Sequence, residues 1–471
     1  MADARGKKRS VDSVAGKKRV IRLLISPDGQ KYRIKIHKPN LDLKRSKRKT
    51  KARRILVFLF VGVVVFGTGI LIISRTTLFR LYLLTRDCRN TSYIVGFQNS
   101  GELRPTGGFW GSFAYMQIPD SLKKTSIFFE TNPYKKDNPL LKSTDVELPK
   151  PMKEIWPDRP QSFVNANWSA DFSESAKTIE WYFGQGWNQK SDGVIAVSSL
   201  AMIDLLDLIG PITLPDQTVV RSENFTQIMS QKIDTEYWYS PENHIINEPK
   251  TLIKDLAPIV AQKAKSVPPI KMIKYLNEQI KYGRILVYLN DSQKQEIISD
   301  LGLSGEILPY QVDYLFINNA NLAGHKTSLN VFQDIDYSVK QQDKKYVGEL
   351  TLSRSHLPDM FPNLENKNYT RIFVPLGTKI ASAENNGTNI LDKIDKTDEF
   401  GRTVFGFWFS TNPGEKSTVK ITYELPFKLD SNREYHLVLQ KQSGTNFDNL
   451  KLDLPSGKKI DTILKDKVLK L

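Results

Sequence analysis

The stretch of this 471-residue chain best furnished for chemistry is the loop Gln98-Asn99-Ser100-Gly101-Glu102-Leu103-Arg104-Pro105-Thr106-Gly107-Gly108. It gathers two amides, a carboxylate, a guanidinium and two hydroxyls between two apolar runs, 93–97 and 109–118. In a layered α/β domain, ligand sites form where such loops converge at strand ends. An arginine there suits a carboxylate or phosphate, which it holds through two parallel hydrogen bonds. The glycines allow a ligand close to the backbone. Gln98, Asn99, Glu102, Arg104 and Thr106 are therefore candidates for ligand contact. The same residues also fit a structural loop in which Glu102 and Arg104 pair with other protein groups. A second polar-aromatic cluster, Asn167, Trp168 and Asp171, precedes a helical run at 174–183. It reads either as ligand contacts or as a helix-start turn around a buried Trp.

Other chemistry is not signalled. The chain has no Walker loop, GxGxxG, GxSxG, HExxH or paired CxxC. Its five histidines, His37, His244, His325, His356 and His436, are scattered without metal-ligand spacing. Neither a metal site nor a Ser-His-Asp triad is predicted, and catalytic residues stay unassigned.

The elements that would position these residues follow from the apolar patterning. Runs at 93–97, 109–118, 125–130, 192–197 and 284–289 read as strands. Helical runs at 174–183, 200–208 and 291–301 alternate with them, and 222–281 is mostly helical in pattern. This alternation predicts an α/β domain over 90–311. Residues 131–161, rich in Pro, Lys and Asp, read as a long surface excursion. From 312 the texture changes to short β-branched and aromatic runs separated by turn signals, the pattern of an all-β sandwich over 312–455, with a tail at 456–471. If Phe405, Phe407 and Trp408 cluster on an exposed face of that sandwich, they would serve glycan or protein contacts.

Residues 55–73, ILVFLFVGVVVFGTGILII, carry no charge. As a helix they reach roughly 30 Å, the thickness of a bilayer's hydrocarbon core. Charge is distributed around them unevenly. Residues 1–54 hold 20 Lys and Arg against 4 acidic residues; of the chain's 68 and 51, that leaves 48 against 47. The protein is thus a nearly neutral body with a basic arm. Short basic segments stay cytoplasmic, so the expected arrangement is a cytoplasmic tail 1–54, an uncleaved single-pass signal anchor 55–74, a stalk 75–89 and an extracytoplasmic remainder. The tail contains a possible hairpin at 20–36 around Pro27-Asp28-Gly29. Its expected partners are the bilayer and anionic lipid headgroups, each charge worth about 1 kcal/mol near the surface. Without aromatic interleaving or a recognised motif, no nucleic acid is expected. The single cysteine, Cys88, rules out an internal disulfide.

Several pieces carry a resemblance: FQNSGELRPTGGFWGSF (97–113), NWSADF (167–172), DGVIAVSSLAMIDLLDLIGPITLP (192–215), YLFINNANLAGHKT (314–327), TYELP (422–426) and LQKQSGT (439–445). In these the chain resembles the bacterial family called domain of unknown function 4012. That resemblance implies a membrane-anchored protein of the cell envelope and no particular activity. The expected role is a non-catalytic binding or scaffold module, in contact with cell-wall polymer or a polyprenyl-linked glycan.

The order of strand, Arg-bearing loop, strand, DGVIAV strand and LIGPITL helix is also similar to the LytR-CpsA-Psr family. Its members move glycopolymers from polyprenyl-pyrophosphate carriers to peptidoglycan with Arg and Asp residues and a divalent metal. On that alternative, Arg104 would hold a lipid pyrophosphate in a deep apolar-walled groove, and Glu102 or Asp171 would help position a metal such as magnesium. The family's following Arg-Asp pair is replaced here by TGGFWG.

Overall fold

The computed structural model describes residues 20–25, 31–36, 84 and 88–470, apart from 122–123, 142–145, 311, 323–324, 343–344, 428–434, 447, 456 and 464. Two compact units divide the chain, Met1–Lys51 and Ala52–Leu471. In the first, β1 (Val20–Ile25) pairs antiparallel with β2 (Lys31–Ile36), Val20 opposite Ile36. The apolar stretch 55–73 lies outside the described residues. Among those described, no helix is long and apolar enough to cross a membrane.

The second unit is mixed α/β with a β-rich C-terminal part. Strands β3 (Thr91–Asn99), β4 (Phe109–Ile118), β5 (Ser126–Glu130) and β6 (Gly193–Ser198) join one sheet. Two short strands, β7 (Ile212–Thr213) and β8 (Val219–Val220), make a separate ribbon, and β9 (Ile285–Leu289) completes the sheet in the order β5-β4-β3-β6-β9. β6 runs parallel to β3 and antiparallel to β9. The helices are α1 (Tyr134–Leu141), α2 (Lys150–Ile155), α3 (Phe172–Trp187), α4 (Ser199–Ile209), α5 (Phe225–Ser230), α6 (Pro241–Ile246), α7 (Thr251–Lys265), α8 (Pro269–Lys281) and α9 (Ser292–Asp300).

Strand side chains alternate between faces, and each face meets its own helices. Ile94, Phe113, Val194 and Leu286 pack on Phe172, Ile179 and Phe183 of α3. Val95, Met116, Ile195 and Val287 share a cluster with Ala264 of α7 and Met272 and Leu276 of α8. Glycine at 96 is required by its neighbour: a β-carbon there would lie 2.0 Å from the Trp110 ring. The 131–161 stretch is more than a surface excursion. Asp137 is buried and accepts from the backbone N–H groups of Phe163 and Val164, at 2.8 and 3.2 Å. Leu148 and Met152 pack with Ala320, Leu322 and Tyr369.

The β-rich part contains β10 (Asp313–Asn321), β11 (Val331–Gln342), β12 (Lys345–His356), β13 (Asn366–Pro375), β14 (Lys379–Asn385), β15 (Thr388–Asn389), β16 (Asp395–Glu399), β17 (Arg402–Thr411), β18 (Lys416–Glu424), β19 (His436–Gln440), β20 (Asp448–Leu454), β21 (Gly457–Ile463) and β22 (Lys467–Lys470). Six strands run β16-β17-β13-β10-β19-β22, and seven run β15-β14-β18-β12-β11-β20-β21. Ile335, Tyr337 and Leu352 from the second sheet share one core with Leu315, Ile372 and Phe405 from the first. The last residues, expected as a tail, are strands β21 and β22, one in each sheet; their lysine-rich composition hid a strand pattern.

Asp313 ties the two sheets together. Its carboxylate accepts from the Tyr337 hydroxyl at 2.8 Å, from the Tyr435 hydroxyl and from the Tyr314 N–H. Burial pushes this carboxyl up to about 6, against the pull of those donors. An unfolded Asp titrates near 3.9. Between roughly pH 4 and 6 the folded chain therefore keeps a proton the unfolded chain has lost, so this group's contribution to stability falls as pH rises through that window. Asp313→Asn cannot ionise. Its melting temperature relative to the parent is expected to climb between pH 4.5 and 7, and an unchanging difference would refute the assignment.

Candidate ligand-binding site

The loop between β3 and β4 divides its residues between two tasks. Arg104 points into the protein and is 1% exposed. Its guanidinium donates to the Asn321 carbonyl at 2.5 Å, to the Leu103 carbonyl at 3.2 Å and to the Glu102 carboxylate at 2.9 Å, and lies 5.2 Å from the centre of the Phe109 ring. This corrects the expectation that Arg104 lines a groove. Protein oxygens engage its two terminal nitrogens, while the buried Nε has no partner.

Thr106 and Asn167 are interior too. Gln98 donates to the Thr106 hydroxyl at 2.7 Å, and Asn167 donates to the same hydroxyl at 2.8 Å and to the Gly108 carbonyl at 2.9 Å. Asp171 stands apart as the N-cap of α3, accepting from the Glu174 N–H at 3.2 Å and the Ile307 N–H at 2.9 Å. Burial raises its carboxyl above the ordinary value. Glu102 and Asp171 thus serve separate structures: Glu102 pairs with Arg104, and Asp171 caps α3. Among the described residues, no three acidic, His or Cys side chains are grouped to hold a metal ion.

From the other side the loop is gripped by the β-rich part. Asn318 donates to the Pro105 carbonyl at 2.9 Å, and Gln442 donates to the carbonyls of Arg104 and Asn319 at 3.1 and 2.8 Å. A β-carbon on Gly444 would fall 1.8 Å from the Gly107 oxygen, so only glycine lets these turns touch. Motif pieces 97–113, 314–327 and 439–445 therefore meet at one seam. Phe405, Phe407 and Trp408 do not meet the condition set for glycan or protein contacts: Phe405 and Phe407 lie between the sheets, and Trp408 donates to Glu154 at 2.7 Å.

The residues left over, Gln98, Asn99 and Glu102, border a cavity of about 850 Å³ on one side of the five-stranded sheet. Its floor is Val95, Phe97, Ala114, Met116, Ile127 and Phe129. Its roof includes Ala257, Ala261 and Ala264, which recur at i, i+4 and i+7 and so share one face of α7. The small side chains at these three positions leave room in that part of the roof, beside Ile253, Leu256 and Val260 of the same helix. The lining residues that reach solvent, Tyr134, Asp234, Asn247 and Leu364, mark its mouth.

Two lysines stand there. Lys326 pairs with Asp234. Lys250 donates from Nζ to the Gly111 carbonyl and sits 5.6 Å from the centre of the Phe109 ring. A β-carbon on residue 111 would meet that Nζ and the Phe109 ring, so the lysine reaches this carbonyl across a glycine. Burial pushes Lys250 down to about 8, the Lys326 charge adds to the fall, and Glu102 and Asp234 oppose it.

Residues 89–233 match the family described as Protein of unknown function (DUF4012). This segment is a DUF4012 domain. No curated protein matches the chain. Among solved structures, the chain is similar to a Legionella pneumophila protein described as nutrient binding, at 8% identity over 27% of this chain and 51% of that one, with a TM-score of 0.20. It is also similar to Legionella pneumophila aminopeptidase A, at 13% identity over 29% of this chain and 17% of the other, TM-score 0.18. For yeast leukotriene A4 hydrolase the figures are 8%, 27%, 23% and 0.15. The chain thus spans about half of the first and less than a quarter of the other two, and at these scores the likenesses support no argument about fold or function.

The DUF4012 match ends at residue 233, inside the cavity wall. It includes the floor and omits α7, Lys250 and Lys326. Sequence reasoning missed those roof and mouth residues. The alanine spacing within 251–265 was the readable signal; the lysines carried none, because only the fold brings 250 and 326 to one opening.

Proposed function

We propose that this chain is a membrane-anchored, extracytoplasmic binding protein of the bacterial envelope, and that its cavity holds a lipid with one long hydrocarbon chain and an anionic head. The cavity carries this reading. Its volume falls in the range of about 300–1,000 Å³ typical of small-molecule sites. Each CH₂ group buried against such walls gains about 0.8 kcal/mol before the cost of association. Lys250, held at the mouth by the Gly111 carbonyl, offers a positive charge to the head. Carriers of polyprenyl-linked glycans belong to this chemical class, and the anchor expected at 55–73 would keep the domain beside their membrane. The transferase alternative is not part of the proposal, since it was built on an arginine that is enclosed. The test is solvent extraction and mass spectrometry of the purified full-length chain. One lipid per chain is expected; no lipid, together with no uptake of a fluorescent long-chain phosphate probe, would overturn the reading.

A further inference from the structure

We infer that the corner made by α6 and the loop 357–365 is the face by which this protein lies against a lipid bilayer. Tyr239, Ile245 and Ile246 are 76%, 88% and 51% exposed. They belong to a segment whose ends, Trp238 and Asn247, both line the cavity. On the 357–365 side, Phe361 and Leu364 are 47% and 48% exposed, and between them Pro362 lines the cavity as Leu364 does. Single exposed apolar residues are ordinary, but five large ones on two segments that both border one cavity are a concentration of the kind that marks an interaction surface.

The corner is built to present them. Asn243 donates to the Tyr237 carbonyl at 2.6 Å, the Tyr237 hydroxyl accepts from the Glu248 N–H at 2.7 Å, and the His244 ring packs 5.3 Å from Trp238. Two features point to a bilayer as the occupant. Fifteen residues separate the apolar stretch 55–73 from Arg89, so the domain is tethered within roughly 50 Å of whatever that stretch enters, at about 3.5 Å per residue. And both segments that carry these residues border an apolar cavity, so contact with lipid there would let a hydrocarbon chain enter without crossing water. Residues 231–250 hold Lys232 and Lys250 against Asp234, Glu236, Glu242 and Glu248. The contact is therefore apolar, with little dependence on salt. The inference rests on the lipid reading of the cavity.

The test uses the full-length chain in phosphatidylcholine nanodiscs, with a nitroxide on Ile245→Cys and, as a water reference, on Lys379→Cys, which is exposed on β14. Cys88 is buried, and label uptake by the parent chain controls for it. The ratio of oxygen to nickel-chelate accessibility is expected to be at least tenfold higher at 245 than at 379. Equal ratios overturn the proposal. Shielding of 245 from both reagents identifies a protein partner and overturns it as well. Immersion of 245 in a chain that yields no extractable lipid refutes the cavity reading and leaves the bilayer contact standing.

Discussion

Arg104→Ala is expected to destabilise the protein by about 3–5 kcal/mol, the cost of removing one partner from a buried ion pair. The guanidinium is enclosed, and it satisfies the Glu102 carboxylate and two backbone carbonyls at once. Its loss would leave a largely buried carboxylate without a counter-charge, deprive the Asn321 carbonyl of its donor, and open space beside Phe109. Denaturant unfolding of the parent and variant chains measures the effect. The double variant Arg104→Met/Glu102→Gln should recover part of the loss, because neither charge is stranded. A ligand-holding arginine predicts the reverse: unfolding unchanged and bound lipid gone. That pair of results would return Arg104 to the site.

The second large effect is expected from Ala257→Phe/Ala261→Phe. Both positions lie on the alanine-bearing face of α7. Two phenyl rings projecting into the roof would occupy the space assigned to the hydrocarbon chain, and extracted lipid should fall at least tenfold. The melting temperature should hold or rise, since apolar rings gain contacts they lacked as alanines. If the roof and floor instead close on one another in solution, the same rings overpack a finished core and cost about 1–3 kcal/mol. Lipid content and melting temperature, read on one preparation, separate the two outcomes.

What was legible in the sequence, and what was not, divides along physical lines. Strands β3, β4, β6 and β9 were readable because each is a short apolar run, and β11 because its inward residues alternate strictly from Val331 to Val339. The helix-start turn at 167–171 was readable as one of two alternatives, but its cap was not: Ser173 offers an acceptor still closer to the helical run, and the structure caps the helix with Asp171. The orientation of Arg104 was not. Its partner is a backbone carbonyl 217 positions away, and nothing within the loop says whether a guanidinium turns toward a ligand or toward the protein. The cavity was illegible for a related reason. Its floor is strand residues that look like any core, and its roof mixes alanines of α7 with Ile253, Leu256 and Val260, which look like core as well. Sequence patterns advertise what fills a core and say little about the space left within one.

The seam around residues 100–108 bears on whether the two halves of this protein can be exchanged separately. Amides from Asn318 and Gln442 are buried against backbone oxygens of a loop more than two hundred residues earlier, and the turns at Gly107 and Gly444 touch with no room for a methyl group. A recombination event that swapped the β-rich half for an unrelated module would strand each of those polar groups at once. Each half therefore limits what the other can be replaced with, since a change on one side of the boundary has to leave these polar groups paired and this space free.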